Sequence, residues 1–386
     1  MSRLLAITSD QFISPTSGIE GLNAMQEGYD GSGVGILLKD LGGPFENIKK
    51  FPILSGIFST SGLRRLDRFM MDIGFSTKYK SSFKLPQKPP QGVPKRDIYL
   101  VRAYDYPNQW EAYSQKELQD RCMKVRLHLK TMGEDQHDMI VFSFWPDTIM
   151  IKEIGDPVEI AEYLQLDNKE FTARIIMAQG RQNTNYSIDL YSCHPFFLQG
   201  YSTMTNGENT AFVTNRNFLV SIGCPEYNGY MSDSEIFTHI LHYTMSRLNL
   251  GIESYKHIIT PLTDEKLTFH PDASFLRHLK HSCRQLIIDG PNCVVGCLQD
   301  NTLFMVQDRK KLRPGIIGGG PGMFVFSSET CGLDAVLPNR DKSRDFQPMH
   351  LDTVVVQPDR LKMNVLCQTE SIQSNRLFMG CFQADI

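Results

Sequence analysis

The sequence predicts an α+β fold for this chain of 386 residues, on the basis of three observations. Short apolar runs bounded by turn residues recur along the chain, as is typical of strands. Several of these runs stand in pairs on either side of a polar turn, as in β-hairpins. Three longer segments carry the capping residues or the apolar spacing of amphipathic helices. We therefore expect strands, hairpins and three long helices to alternate.

Before the first long helix, the sequence predicts three strands, two helices and one loop. The prolines of residues 86–94 disfavour a regular hydrogen-bonded ladder, so this segment is expected to cross the surface, with a linker or a lid as alternatives. The other elements, in order, are a strand at 2–8, a helix at 18–28 that ends at Gly28, a strand at 34–38, an amphipathic helix at 63–74 and a strand at 98–103.

The first long helix is predicted to begin after Ser114. With Glu117 three residues later, this serine gives the sequence signature of a capping box, and Gly133 marks the expected end of the helix. Two apolar runs then surround Trp145-Pro146-Asp147 and predict a hairpin over residues 139–154. Strands and helices alternate throughout this region, so we expect it to be folded.

The remaining long helices lie in the C-terminal half. A strand at 175–177 should carry Arg181 at its end, and Ser232 with Glu235 gives a second capping-box signature, for a helix that runs to about Asn249. The other predicted elements are a third long helix at 272–288, hairpins at 294–306 and 354–366, and a tight glycine turn at 318–322 before a strand at 323–327.

Asn206-Gly207 is the most informative pair of residues for function. A side-chain amide and a backbone N–H that point to one oxygen are what an oxyanion hole requires, and a glycine permits close backbone approach. The same dipeptide is a common hairpin turn, and alone it favours that interpretation. Flanking segments add Arg181, which can bind a carboxylate through two parallel hydrogen bonds, and Asp233, which can bind an ammonium. This set suits an α-amino acid with a reactive side-chain carbonyl.

These segments resemble the glutaminase domain of class II glutamine amidotransferases, which are N-terminal-nucleophile enzymes. Arg181 stands where that family has its glutamine-carboxylate Arg, in a segment that ends Thr184-Asn185. Asn206-Gly207 matches the family's oxyanion pair, and Asp233 matches the Ser-Asp that binds the substrate amino group. His194 lies beside this pocket in the sequence and is expected to shape its loop. Further segments similar to the family are Glu27–Gly33, Gln307–Pro314 and Phe326–Asp334.

The resemblance covers most of the chain and implies a four-layer αββα sandwich of two packed antiparallel sheets, the N-terminal-nucleophile hydrolase fold. It implies a single amidotransferase domain, residues 1–386, with a family-specific folded α/β insertion at about 40–170. The layout is most similar to the separately encoded amidotransferase subunit of archaeal-type glutamate synthase. By this resemblance, the chain is a cytoplasmic glutaminase that passes ammonia to a synthase subunit with FMN and iron–sulfur clusters.

Residue 2 departs from the family pattern, which has an N-terminal Cys nucleophile where this chain has Ser2. A thiol supplies some thiolate at neutral pH, whereas a hydroxyl depends on a general base, which in these enzymes is the nucleophile's own α-amine. Ser2 is therefore expected to act only after Met1 is removed. Three explanations stay open: an engineered exchange of Cys for Ser, a natural loss of activity that leaves a scaffold or glutamine-binding subunit, and a working serine nucleophile.

Composition argues against several other functions. The net charge of −3 gives no reason to expect nucleic acid or an anionic membrane as a partner, and no apolar run is long enough to span a bilayer. The nine cysteines are odd in number and scattered, which favours reduced cytosolic thiols. No flavin, ADP or NAD(P) motif is present, and no metal is expected. Cys293 and Cys297 are predicted on one face of a buried strand or in its turn. His239 and His242 are predicted on a solvent-facing or partner-facing helix surface.

Overall fold

A computed structural model of the protein describes residues 2–27, 29–81, 84–182 and 188–372. Gly28, predicted to end a helix, and Thr184-Asn185 lie outside the described residues. Across these ranges the chain forms three antiparallel sheets and ten α-helices, which confirms the predicted α+β class. Within the described residues, no helix has both the length and the apolar character needed to cross a membrane.

The strands account for three sheets of six, six and four members. They are β1 (Arg3–Ile13), β2 (Val34–Leu41), β3 (Pro52–Phe58), β4 (Ser76–Lys80), β5 (Ile98–Asp105), β6 (Met139–Pro146), β7 (Thr148–Glu153), β8 (Ala173–Gly180), β9 (Phe196–Leu198), β10 (Tyr201–Gly207), β11 (Asn292–Cys297), β12 (Leu303–Gln307), β13 (Ile316–Gly320), β14 (Met323–Ser327), β15 (Asp352–Gln357) and β16 (Lys362–Cys367).

The α-helices vary in length, and α3 is much the longest. They are α1 (Thr16–Ala24), α2 (Thr60–Asp72), α3 (Gln115–Gln136), α4 (Pro157–Tyr163), α5 (Phe212–Ser221), α6 (Glu235–His242), α7 (Ile252–Ile259), α8 (Asp264–Thr268), α9 (Ala273–Ser282) and α10 (Thr330–Val336). The predicted capping box at the start of α3 is confirmed, because Ser114 and Glu117 exchange side-chain and backbone hydrogen bonds.

Two of the sheets face each other and form the core of a four-layer αββα sandwich, as predicted. The first sheet has the order β13-β14-β1-β8-β2-β7, and the second has the order β16-β15-β12-β11-β10-β9. Helices α1 and α10 pack on the outer side of the first sheet and α6 on the outer side of the second. Direct contacts join the inner faces, such as Lys39 Nζ to the carbonyl of Leu298 at 2.7 Å.

The position of β1 explains its continuous apolar sequence. It lies between β14 and β8, with helix α1 on one face and the second sheet on the other. Leu4 to Ile7 are completely buried for this reason, since neither face of the strand meets water.

The third sheet, with the order β4-β5-β3-β6, lies within residues 52–146, and we call it, with helices α2 and α3, the inserted unit. Its structure corrects the hairpin predicted over 139–154. Strand β6 pairs with β3, as in Ile53 opposite Trp145, whereas β7 pairs with β2 in the first sheet, as in Ile36 opposite Ile151. The turn between β6 and β7 therefore carries the chain from one sheet to another, because each strand has its partner elsewhere.

Three further predictions are wrong in detail. Helix α6 has no capping box, because the two carboxylate oxygens of Glu235 accept the backbone N–H groups of residues 228 and 230, which lie outside the helix. The predicted helix to Asn249 is also shorter, because α6 changes at Tyr243 into a π-helical turn. The third long helix is only ten residues long as α9. Gly318 to Gly320 belong to strand β13, which leaves Pro321-Gly322 as the turn. The hairpins β11–β12 and β15–β16 are confirmed.

Candidate active site

Strand directions bring several predicted residues to one end of the sandwich. In the first sheet, Gly180 at the end of β8 stands opposite both Arg3 at the start of β1 and Val34 at the start of β2. Because both pairs are antiparallel, Ser2 and Arg181 leave the sheet at the same end. The end of β10 in the second sheet faces this end, since the Gln179 side chain donates to the carbonyl of Thr205 at 3.1 Å.

The backbone of Arg181 is held by the segment that precedes β2. Its N–H donates to the carbonyl of Gly33 at 2.8 Å, and its carbonyl accepts from the Ser32 hydroxyl at 2.9 Å. Tyr29 fixes Gly33 in turn through a hydroxyl hydrogen bond of 2.8 Å. This segment therefore sets where the Arg181 side chain enters the site.

A cavity of about 340 Å³ opens at this end and contains five of the six predicted site residues: Ser2, Arg181, His194, Gly207 and Asp233. The other lining residues are mostly polar, and they are Gln182, Thr205, Glu208, Asn209, Thr210, Phe212, Val213, Ser232 and Ser234. The volume lies at the lower end of the range of small-molecule sites. A cation and a carboxylate from different layers of the fold thus share one small cavity.

Asn206 is the predicted residue that does not line this cavity, and it is 3% exposed. The neighbouring Thr205 directs its hydroxyl to Ser234 beside α6, at 2.6 Å. Successive side chains of a strand point to opposite faces, so Asn206 lies on the inner face of its sheet, which is turned toward the first sheet. Asn206 pairs with Cys293 of β11, so the Asn-Gly pair ends a strand and is not a hairpin turn.

Gly207 is required by close backbone packing. A Cβ at this position would lie 2.1 Å from the carbonyl oxygen of Pro291 and 2.6 Å from the Cα of Asn292. Both neighbours are main-chain atoms that cannot move aside cheaply. The glycine therefore lets β10 end against the start of β11 while its backbone stays at the cavity wall.

Asp233 lies just before α6 and is 7% exposed. Its carboxylate accepts the Asn209 N–H at 2.7 Å and the hydroxyls of Ser232 and Ser234 at 3.4 and 3.3 Å. Burial raises the pKa of this carboxyl, and these hydrogen bonds oppose the rise. Helix α6 begins at Glu235, and Ser234 before it provides no side-chain cap.

His194 shapes the loop between β8 and β9. Its Nδ1 accepts the N–H of Thr205 at 3.0 Å, so in the neutral ring the proton sits on Nε2. Burial, together with the positive charges of Arg181 and Lys152, lowers the pKa of His194 well below its usual value. The ring is therefore neutral. The main chain of His194 also packs closely against Gly35, where a Cβ would lie 1.6 Å from the carbonyl oxygen of His194.

Some residues that build the site were not predicted. Asn209 orients Asp233, and Gln179 joins the two sheets behind the cavity. Asn209 lies two residues after the Asn-Gly pair, but no local pattern marks its N–H as a partner of a residue 24 positions away. The helix histidines predicted to face solvent or a partner are buried: His239 and His242 are 1% and 5% exposed. Over the described part of the chain, no group of three or more His, Cys, Asp or Glu side chains is placed to hold a metal.

Comparisons with known proteins give the following matches. No protein-family model matches the chain. A protein of Archaeoglobus fulgidus, described as uncharacterized, is 27% identical over 299 residues, which are 75% of this chain and 74% of that protein. The solved structure of glutamine phosphoribosylpyrophosphate amidotransferase from B. subtilis, complexed with ADP and GMP, aligns with a TM-score of 0.46 and 11% identity over 96% of this chain and 50% of that chain.

Two further solved structures are similar. One, described as the allosteric regulatory enzyme of purine biosynthesis, has a TM-score of 0.47 and 12% identity over 96% of this chain and 49% of that chain. The other, a glutamine aminotransferase class-II domain protein from Silicibacter pomeroyi, has a TM-score of 0.35 and 9% identity over 57% of this chain and 85% of that chain. The chain spans about half the length of the first two of these three structures.

Proposed function

We propose that this chain is a glutamine amidotransferase whose cavity binds free glutamine. The observation that carries the proposal is the presence of Arg181 and Asp233, both buried and of opposite charge, in one cavity with Ser2. A guanidinium suits the α-carboxylate and a carboxylate suits the α-ammonium of an amino acid. Two such contacts also favour free glutamine over a glutamine residue in a peptide, which lacks one or both charges.

The proposed reaction begins with attack of the residue-2 side chain on the side-chain amide carbon of glutamine. The free α-amine of residue 2, exposed once Met1 is removed, takes the proton of the nucleophile and returns it to the departing nitrogen, which leaves as ammonia. The resemblance assigns stabilisation of the oxyanion of the tetrahedral intermediate to the N–H of Gly207, a cavity-lining residue, and to the amide of the adjacent Asn206, which is buried and does not line the cavity. Water then cleaves the glutamyl ester, or a thioester where residue 2 is Cys, and releases glutamate.

We further propose that the ammonia serves a partner synthase subunit that carries FMN and iron–sulfur clusters and forms glutamate, as in a glutamate synthase-type complex. The support for this finer assignment is the similarity of the chain's layout to the separate amidotransferase subunits of such complexes. The proposal places the cofactors in the partner and none in this chain.

Ser2 favours a second candidate function, in which the chain binds glutamine without turnover, as a sensor or scaffold subunit. A hydroxyl is a weaker nucleophile at neutral pH than a partly ionised thiol. The charged residues of the cavity would retain glutamine in either case, so binding and turnover must be measured separately.

The test compares this chain with Ser2→Cys, and with Ser61→Cys as a control that adds a thiol at an exposed position on α2. Intact mass establishes whether Met1 is removed, calorimetry measures glutamine binding, and released glutamate and ammonia measure turnover. Glutamine binding by both the unchanged chain and Ser2→Cys, with turnover only in Ser2→Cys, supports an amidotransferase site that lacks its nucleophile. Turnover by the unchanged chain supports a serine nucleophile. Absence of glutamine binding in both chains contradicts the proposed function.

A further inference from the structure

We propose that helix α3 of the inserted unit sets the ammonium-binding part of the site, and that Arg126 is a positioning residue for Asp233. This inference rests on the proposed function, since it concerns how the same cavity recognises the α-amino group of its ligand. Hydrogen bonds run from α3 to the loop before α6 and from that loop to Glu235, which follows Asp233 by two residues in the chain.

The first step is the contact between Arg126 of α3 and the loop before α6. This side chain is completely buried in α3, and its guanidinium donates to the carbonyl of Tyr227 and, at 2.7 Å, to Oδ1 of Asn228. It also lies over the Tyr227 ring, at 3.9 Å from the ring centroid. Burial of a cation costs free energy of desolvation unless hydrogen bonds offset it. Here the Arg126 guanidinium donates its hydrogen bonds to a loop that is 101 residues away in sequence.

The second step is the contact between that loop and Glu235, the first residue of α6. The N–H groups of Asn228 and Tyr230 donate to the two carboxylate oxygens of Glu235, each at 2.8 Å. Glu235 is 1% exposed and also contacts Nε2 of His239 at 3.0 Å. The loop of residues 227–230 is thus fixed between α3 and the first residue of α6.

The third step is the position of Asp233, which lies between this loop and Glu235 in the chain. With residues 228–230 and Glu235 both fixed, the backbone that carries Asp233 has little freedom, and the Asn209 N–H then fixes its carboxylate. Loss of the contacts from α3 would release the loop, and an ammonium site tolerates only small displacements of its carboxylate.

A second connection joins α3 to α6 independently. Asp120 of α3 accepts from the Gln199 amide at 2.7 Å, and the side-chain Oε1 of Gln199 accepts from Nε2 of His242 at 2.6 Å. Burial lowers the pKa of His242 to about 3, so the ring is neutral and its one proton serves this hydrogen bond. The inserted unit therefore holds both the loop before α6 and the last turn of α6.

The inference predicts that Arg126 matters only for ligands that carry an α-ammonium. The test is calorimetric binding of glutamine and of 4-carbamoylbutanoate, which is glutamine without its amino group, to the full chain and to Arg126→Met. We expect glutamine to bind about tenfold or more weakly to the variant, which corresponds to loss of one charge-assisted contact, while the affinity for 4-carbamoylbutanoate changes less than about twofold.

The matched control is Arg121→Met, the same exchange on the same helix, at a side chain that lies over Trp110 and Tyr113 within the inserted unit. It should leave both affinities unchanged. Asn228→Ala removes only one of the two acceptors of Arg126, and it replaces Arg126→Met in the test where circular dichroism shows that the latter is unfolded.

An equal loss of affinity for both ligands would overturn the inference, because it would indicate general damage to the cavity. Unchanged glutamine affinity in folded Arg126→Met and Asn228→Ala would overturn it as well. Absence of glutamine binding by the unchanged chain is a different result, which overturns the proposed function and the inference together.

Discussion

Gln179 of the first sheet donates its side-chain N–H to the main-chain carbonyl of Thr205 in the second sheet, at 3.1 Å. Both residues are almost completely buried. Gln179 stands opposite Leu4 in β1, and Thr205 also donates its N–H to His194, so this one hydrogen bond joins the two sheets directly behind the cavity. It is one of the contacts that link the two walls of the site.

Replacement of Gln179 by Met should destabilise the protein, because the shape is kept while the Thr205 carbonyl loses its side-chain donor. We expect the free energy of unfolding to fall by about 1 kcal/mol, at the low end for a buried polar group that loses its partner. The expected loss is small because Oε1 of Gln179 is buried without a hydrogen-bond partner among the described residues. Its removal therefore recovers part of the free energy that is lost with the donor. Urea denaturation measures the change. Gln115→Met, at the exposed start of α3, is the control and should change stability by less than about 0.5 kcal/mol.

Arg181→Lys should weaken glutamine binding even though it keeps the charge. A lysine offers one ammonium in place of a planar group that makes two parallel hydrogen bonds with a carboxylate. We expect a dissociation constant about 10- to 100-fold higher, as for loss of a charge-assisted hydrogen bond. Calorimetry with Arg344→Lys as a surface control checks this. An unchanged affinity in Arg181→Lys would mean that the carboxylate lies elsewhere.

Asp233 should give glutamine binding a pH dependence. Burial raises the pKa of this carboxyl, so its ionised form, which attracts an ammonium, is lost on acidification at a higher pH than for an ordinary aspartate. The affinity for glutamine should therefore fall as the pH is lowered through this raised pKa, and Asp233→Asn should bind weakly at every pH. Burial and the positive charges of Arg181 and Lys152 lower the pKa of His194, so its ring gains a proton only at a lower pH than an ordinary histidine does. A profile that is the same in both chains would contradict the assignment.

The raised pKa of Asp233 has the opposite effect on the stability of the protein without ligand, which it increases on acidification. A carboxyl with a raised pKa binds its proton more tightly in the folded than in the unfolded state. Its contribution to stability is therefore complete below the unfolded pKa and is lost as the pH rises through the folded pKa. We expect Asp233→Asn to remove this part of the pH dependence of the melting temperature. Thermal melting of both chains across the acidic range measures it, and parallel curves would count against burial as the cause of the shift.

Gly207→Ala should damage both stability and the site. The added methyl group would meet the Pro291 carbonyl and the Asn292 Cα, and relief of this clash requires β10 and β11 to separate. We expect a loss of more than about 2 kcal/mol in the free energy of unfolding, as for overpacking against the backbone. Gly223→Ala is the control, because its φ of 74° disfavours a side chain but no atom lies within 4 Å of the added Cβ. It should cost only about 1 kcal/mol of backbone strain. Equal losses in the two variants would exclude the close contact as the cause.

The sequence by itself determined the features whose signals lie within a few residues. Ser114 and Glu117 form their capping box as predicted, and the turns of β11–β12 and β15–β16 join strands that do pair. The placement of Arg181 directly after a buried strand was also predictable, because an apolar run and the residue that ends it are adjacent in the chain.

The tertiary structure alone decided which distant groups meet. The turn after Trp145 suits a hairpin, yet β6 and β7 join different sheets, because strand partners are selected by packing over the whole domain. Glu235 has the sequence signature of a capping residue. In the structure it accepts hydrogen bonds from the loop that Arg126 contacts from α3, and it also contacts His239. Local sequence records short-range preferences, whereas these partners are separated by up to about a hundred residues, and only the packed layers bring them together.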